Sequence, residues 1–292
     1  MPDMPTACST RDELMLEGFF DYAGLYPPAS LDLKSVIEHW NRYIETEDNW
    51  MLARLIIPAS KLCEFKELAK DVMPRHDEEP WQLSVLLPPA SDDSFKDAVK
   101  TTIAFNEEDL GAIANVVEFK ATTTDEIESA LNVLHDDLFP FIELPVDDDP
   151  RGLIASLSGC VAGAKVRTGG VTPELYPSSK HLARFIYACG VARIPFKATA
   201  GLHHPNRNEN TTVGVNEFGF LNVLGASIAS MRQDATEADV EAQLNLQTVE
   251  LSEFTEEEIA TARSEVFCSI GSCSFEEPVE DLRSMGILKE PK

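Results

Sequence analysis

Short apolar runs alternate along this chain with longer segments whose apolar positions recur every three or four residues. The runs read as buried strands and the longer segments as helices with one buried face. Strands are predicted over Phe19–Leu25, Leu52–Ile57, Gln82–Leu87, Asn115–Phe119, Phe141–Leu144, Val161–Arg167, Ile194–Thr199 and Val266–Ile270. Helical patterns fill the spaces, among them Leu33 to Ile44, Cys63 to Val72 and Phe95 to Phe105. A weak repeat marks the first three junctions: Leu25-Tyr26-Pro27-Pro28-Ala29-Ser30, Leu55-Ile56-Ile57-Pro58-Ala59-Ser60 and Leu86-Leu87-Pro88-Pro89-Ala90-Ser91. Proline stops a strand, and the serines are expected to cap the helices that follow.

A repeated strand–turn–helix unit implies a parallel sheet, and eight such strands with right-handed crossovers predict a closed (β/α)8 TIM barrel. No GxGxxG turn follows the first strand, which argues against the doubly wound alternative. The 292 residues suit one α/β domain, 1–292. The connection between the seventh and eighth strands, 202–265, is long. It contains the apolar stretch Phe218–Met231 and an acidic helical stretch around Glu253–Ser264, expected as a lid, extra helices or an oligomer surface.

Charge narrows the function. Twenty-four Lys+Arg against 50 Asp+Glu give a net charge of −26, a surface that repels nucleic acid and anionic membranes. The six cysteines, Cys8, Cys63, Cys160, Cys189, Cys268 and Cys273, form no CxxC pair and read as thiols in a reducing compartment. The acidic N-terminal residues Asp3, Asp12 and Glu13 and the absence of an apolar run there speak against a signal peptide. No run reaches transmembrane length, so the expectation is a soluble, cytoplasmic protein, with a homo-oligomer left open.

In so acidic a chain, cations placed on apolar strands stand out. Lys165 and Lys197 each precede a glycine-containing turn and lie one strand-plus-helix unit apart. Adjacent ammonium groups repel, which favours a neutral, nucleophilic lysine suited to Schiff-base chemistry. Alternation places Lys165 with Arg167, Lys197 with Thr199, and Glu118 with Lys120 on shared faces. With those faces inward, the barrel mouth gathers them together with Glu143 and Asp21.

These segments resemble the class I aldolases of the deoxyribose-phosphate aldolase type. The run Lys165-Val166-Arg167-Thr168-Gly169 is similar to that family's Lys-Thr-Ser-Thr-Gly sixth strand, and Lys197-Ala198-Thr199-Ala200-Gly201-Leu202-His203 to its Lys-Ala-Ser/Ala-Gly-Gly-Ile-Arg seventh. Asp21-Tyr22-Ala23-Gly24-Leu25-Tyr26-Pro27-Pro28-Ala29-Ser30 follows its Asp-x-Thr-x-Leu-x-Pro-x-Ala-Thr first strand, and Ile270-Gly271-Ser272-Cys273-Ser274 its eighth-strand phosphate loop. The resemblance implies Lys165 as Schiff-base nucleophile, Lys197 as its electrostatic activator, Glu118 as proton relay and Asp21 as the first-strand carboxylate. It also implies phosphate contacts from Gly169, Gly170, Gly201, Ser272 and Ser274. Arg167 stands where the family has a small hydroxyl residue, and Ala200 where it has glycine.

The expected activity is therefore a lyase reaction on a small anionic hydroxy-carbonyl or sugar-phosphate compound, needing no cofactor and no metal. Arg167, Lys120, Thr168, Thr199 and His203 join the glycines and serines as substrate-binding candidates. Two other readings stay open: a cationic barrel that stabilises an enolate without a covalent step, and a non-catalytic barrel that binds an anionic metabolite. His203-His204-Pro205 offers a mouth-facing acid/base or merely a turn, and Tyr26 and Tyr176 contact substrate or pack. The remaining histidines, His39, His76, His135 and His181, read as surface residues.

Overall fold

The computed structural model describes residues 10–75 and 77–289. The expectations for the N-terminal segment, Cys8 and His76 lie outside those residues. The chain forms strands β1 (Phe20–Tyr22), β2 (Leu52–Pro58), β3 (Trp81–Leu86), β4 (Ala112–Lys120), β5 (Phe139–Glu143), β6 (Gly163–Arg167) and β7 (Phe196–Thr199). These are followed by a hairpin, β8 (Asn208–Asn210) with β9 (Val215–Glu217), and by β10 (Phe267–Ser272). All but the hairpin are parallel and close into a barrel in which β10 pairs with both β7 and β1. Closure leaves no strand edge open.

Helices α1 (Arg11–Leu16), α2 (Leu33–Ile44), α3 (Leu62–Ala69), α4 (Phe95–Glu107), α5 (Thr124–Leu131), α6 (Arg151–Ser156) and α7 (Ser179–Ala192) precede the hairpin. After it come α8 (Phe220–Met231), α9 (Glu237–Leu244), α10 (Glu256–Glu265) and, beyond β10, α11 (Glu276–Ser284). The predicted span of α2 matches the structure. Its buried face is Leu33, Val36, Ile37, Trp40 and Tyr43, a three-to-four-residue spacing, and the Asp32 carboxylate accepts the Ser35 N–H at 2.8 Å. Alternate strand residues such as Leu83, Val85, Val117, Phe119, Ala164, Val166 and Phe196 join these helix residues in one apolar core. The residues between them are left for the barrel interior.

Two local expectations are corrected. The repeated serines do not cap helices, because each helix begins later: Ser30 takes a positive φ of 47°, Ser60 lies in a 3-10 turn, and the caps are Asp32, Lys61 and Ser94. The first strand is shorter than its apolar run. After Tyr22 the Ala23 N–H still reaches the Ser272 carbonyl, but Tyr26, Ser30 and Leu31 then donate backwards and fold the chain into turns.

Between β7 and β10, α8 is buried from Phe220 to Ser230 and packs against α7, α9 and α10. Its approach to α7 depends on Gly190, where an added Cβ would lie 2.0 Å from the Ser230 hydroxyl. No helix among the described residues is long and apolar enough to cross a membrane.

Candidate active site

The barrel's register decides which side chains meet. Lys165 on β6 lies directly opposite Lys197 on β7, Glu143 on β5 opposite Lys165, and Ser269 on β10 opposite Lys197. Glu118 enters from β4 and Asp21 from β1. The two lysines are 4% and 0% exposed, and Asp21 and Glu118 1% each, so the charges are removed from water as a group.

Glu118 joins the two cations. Its Oε2 is 2.8 Å from Lys165 Nζ, while its Oε1 contacts Lys197 Nζ and accepts the Ser84 hydroxyl at 2.6 Å. Lys165 also reaches Glu143 at 3.2 Å. Lys197 pairs with Asp21 Oδ2 at 2.5 Å, where the Ser269 hydroxyl donates at 2.8 Å. The Lys197 ammonium also faces the ring of Phe141, 5.8 Å from its centroid. Asp21 Oδ1 is buried and finds no protein partner among the described residues.

The electrostatics correct one expectation. The lysine pair alone would lower each other's pKa. For Lys165, burial does oppose the charge, but the Glu118 and Glu143 carboxylates outweigh it and hold the ammonium above the ordinary lysine range. Glu118 shows the counterpart. Burial would raise it, yet Lys165 and then Lys197 hold it well below the usual carboxylate range. The resting site is thus an ion network, with Lys165 protonated.

The rim holds the other candidates. Arg167 is largely exposed, 3.9 Å from Glu143, and donates to the Gly169 carbonyl at 3.3 Å. Lys120 is exposed, opposite Glu143 in register. Thr168 is buried, its hydroxyl bonded to the Thr199 carbonyl at 3.3 Å and in contact distance of the Ala200 carbonyl at 2.5 Å. Gly169 and Gly201 are needed for close approach: a Cβ on Gly169 would sit 2.7 Å from the Gly201 Cα, and Gly201 has a φ of 74°. Thr199 stands against Gly271, and the Gly170 carbonyl accepts the Tyr176 hydroxyl at 3.0 Å. Ser272 Oγ donates to the Ser274 carbonyl at 2.6 Å, and Ser274 Oγ accepts the Glu277 N–H at 3.2 Å, so both serines also shape the turn into α11. His203 lies apart from the lysines, with Nδ1 3.1 Å from Glu277.

Sequence reasoning missed Ser84, Ser269 and Phe141. The signal for the serines was present: Ser84 is the lone hydroxyl of β3, and Ser269 lies inside the predicted apolar run Val266–Ile270. Tyr176 binds Glu217 of the hairpin at 2.6 Å, and Asn210 donates to the same oxygen at 2.7 Å, which ties the β7–β10 connection to the β6 loop. Burial, reinforced by that carboxylate, pushes the Tyr176 hydroxyl up to about 12. The Tyr26 hydroxyl is buried without a protein partner among the described residues, and burial next to Glu118 raises it to about 12. No cluster of three metal-ligating side chains occurs among the described residues.

No known protein family matches this chain, and no curated protein matches it. Among solved structures it is similar to a citrate lyase from Burkholderia xenovorans LB400, at 11% identity and a TM-score of 0.42 over 84% of this chain and 82% of that one.

Proposed function

We propose that this chain is a carbon–carbon lyase that works through a Schiff base on Lys165. The supporting observation is the pairing of Lys165 with Lys197 across neighbouring strands, with one carboxylate, Glu118, touching both. Lys165 keeps 4% exposure against 0% for Lys197, whose ammonium is held by Asp21 at 2.5 Å.

In this reading Lys165 passes a proton to Glu118 as the substrate displaces it from the resting network, turning an ion pair into two neutral groups that burial, acting alone, prefers. The freed amine attacks the substrate carbonyl carbon. Glu118 returns the proton to the departing hydroxyl, water leaves, and an iminium remains. The iminium accepts the electron pair of the breaking carbon–carbon bond, and Glu118 takes the proton from the β-hydroxyl. Protonation of the enamine and hydrolysis then release the second product and restore Lys165. Lys197, still paired with Asp21, keeps a fixed positive charge beside the reacting nitrogen. Arg167 and Lys120 at the rim suit a small anionic hydroxy-carbonyl or phosphorylated substrate.

One observation favours a second reading. Because Lys165 rests as an ammonium, the same site would stabilise an enolate electrostatically with no covalent step. Borohydride treatment with small aldehydes, keto acids and sugar phosphates, followed by intact-mass and peptide analysis, separates the two. The Schiff-base reading expects a reduced adduct on the Lys165 peptide, absent from Lys165→Ala. Failure of every carbonyl to leave an adduct on folded protein, with activity surviving in Lys165→Arg, would establish the electrostatic reading instead.

A further inference from the structure

A second group of reactive side chains lies outside the lysine network. Cys273 follows β10 at the C-terminal end of the barrel, and His203 follows β7 at the same end. Cys273 Sγ is 3.9 Å from His203 Nε2, and His203 Nδ1 is 3.1 Å from Glu277 Oε2 in the first turn of α11. Thiol, imidazole and carboxylate therefore stand in series. With Nδ1–H donated to Glu277, Nε2 is free to accept the thiol proton. His204 is engaged elsewhere, on Asp281 at 2.6 Å. Burial disfavours charge on His203, but Cys273 and Glu277 override it and raise its pKa to about 10, so the imidazolium formed when the thiol proton is taken up is held by both neighbours. Cys273 also lies near the Tyr22 hydroxyl on the side of α2.

We propose that Cys273 is a nucleophilic thiol, set up by His203 and held in line by Glu277, that reacts with small soft electrophiles at carbon reaching the barrel mouth. The step is balanced within the triad. The proton moves from Sγ to Nε2, the thiolate forms a bond to the electrophilic carbon, and the leaving group departs with its electron pair. Exposure alone predicts the opposite selectivity. Cys273 is 9% exposed, whereas Cys63 and Cys160 are exposed thiols, Cys160 Sγ meeting only the Ser156 carbonyl among the described residues.

The test is native alkylation of the full chain with iodoacetamide at neutral pH, read by peptide mass over time. Cys273 is expected to be carbamidomethylated about tenfold faster than Cys63 and Cys160, reflecting thiolate character rather than access. His203→Gln and Glu277→Gln are each expected to slow Cys273 by about tenfold or severalfold respectively, leaving the Cys63 rate unchanged. Circular dichroism confirms that the variants are folded, and Glu277→Gln, which alters one oxygen on a helix surface, serves if His203→Gln is not. Labelling of Cys273 only after urea, or at equal rates in wild type and variant, would overturn the proposal.

Discussion

The barrel interior carries two polar layers built from different chemistry. Toward the N-terminal ends of the strands, Arg54 Nε donates to Asn115 Oδ1 at 3.2 Å, Asn115 Nδ2 to Gln82 Oε1 at 2.6 Å, and Gln82 Nε2 to the Pro80 carbonyl at 3.0 Å. Toward the C-terminal ends, Asp21, Glu118, Glu143, Lys165 and Lys197 form the ionic layer. The lower layer passes hydrogen bonds in a line from donor to acceptor, mostly between neutral amides. The upper layer concentrates titratable groups in water-poor surroundings and leaves Asp21 Oδ1 and the Tyr26 hydroxyl without a protein partner among the described residues. Amide chemistry holds a barrel together; close ion pairs in dry surroundings shift one another's proton affinities.

The largest effect should come from breaking the upper layer at its centre. Glu118→Leu leaves Lys197 with Asp21 alone and Lys165 with Glu143 alone, and is expected to destabilise the fold by about 3–5 kcal/mol in urea unfolding. Next comes Asn115→Leu in the lower layer, expected to cost about 1–3 kcal/mol because Arg54 and Gln82 each lose a partner without stranding a paired ion. Equal losses from the two variants would remove the distinction between the layers.

How the layers were read from sequence follows the same division. Alternation alone placed Lys165, Lys197 and Glu118 on inward faces, since charges on apolar strands have few other places to go. Register was not readable, because a parallel barrel's stagger is set by helix lengths and turns far from the lysines. The direction of the Lys165 shift was misjudged for that reason: the approach of Glu118 and Glu143 depends on two separate strand offsets, β4 against β5 and β5 against β6. The His203–Cys273–Glu277 series was hidden more deeply, since it joins a turn, a loop and a helix N-terminus that only closure of the barrel brings together.

A pH titration extends the comparison beyond the interior. His203 is raised in the fold to about 10, so its contribution is complete below the unfolded histidine pKa and fades as pH rises toward 10. The groups facing it are Cys273 and Glu277, and Glu277 is itself held low, chiefly by its hydrogen bond to His203. Lys165 is raised too, so its contribution persists further into alkali; that of Glu118, which is lowered, disappears only in acid. Thermal unfolding should therefore show Tm declining between neutral pH and pH 10 in wild type, and a flatter profile in His203→Gln. An identical slope in the variant would place the alkaline sensitivity elsewhere.

The smallest expected effect has the opposite sign. The Tyr26 hydroxyl lies in the field of Glu118 and Lys165, buried and without a protein partner among the described residues. A buried, unpaired hydroxyl opposes folding, so Tyr26→Phe should leave stability unchanged or raise it by up to about 1 kcal/mol. Removing Asn115 from the hydrogen-bonded lower layer must do the reverse. If the hydroxyl meets substrate, the same variant raises KM while the unfolding midpoint stays level or climbs. A fall in stability would show instead that Tyr26 is bonded within the folded chain, and the upper layer would then be as closed as the lower one.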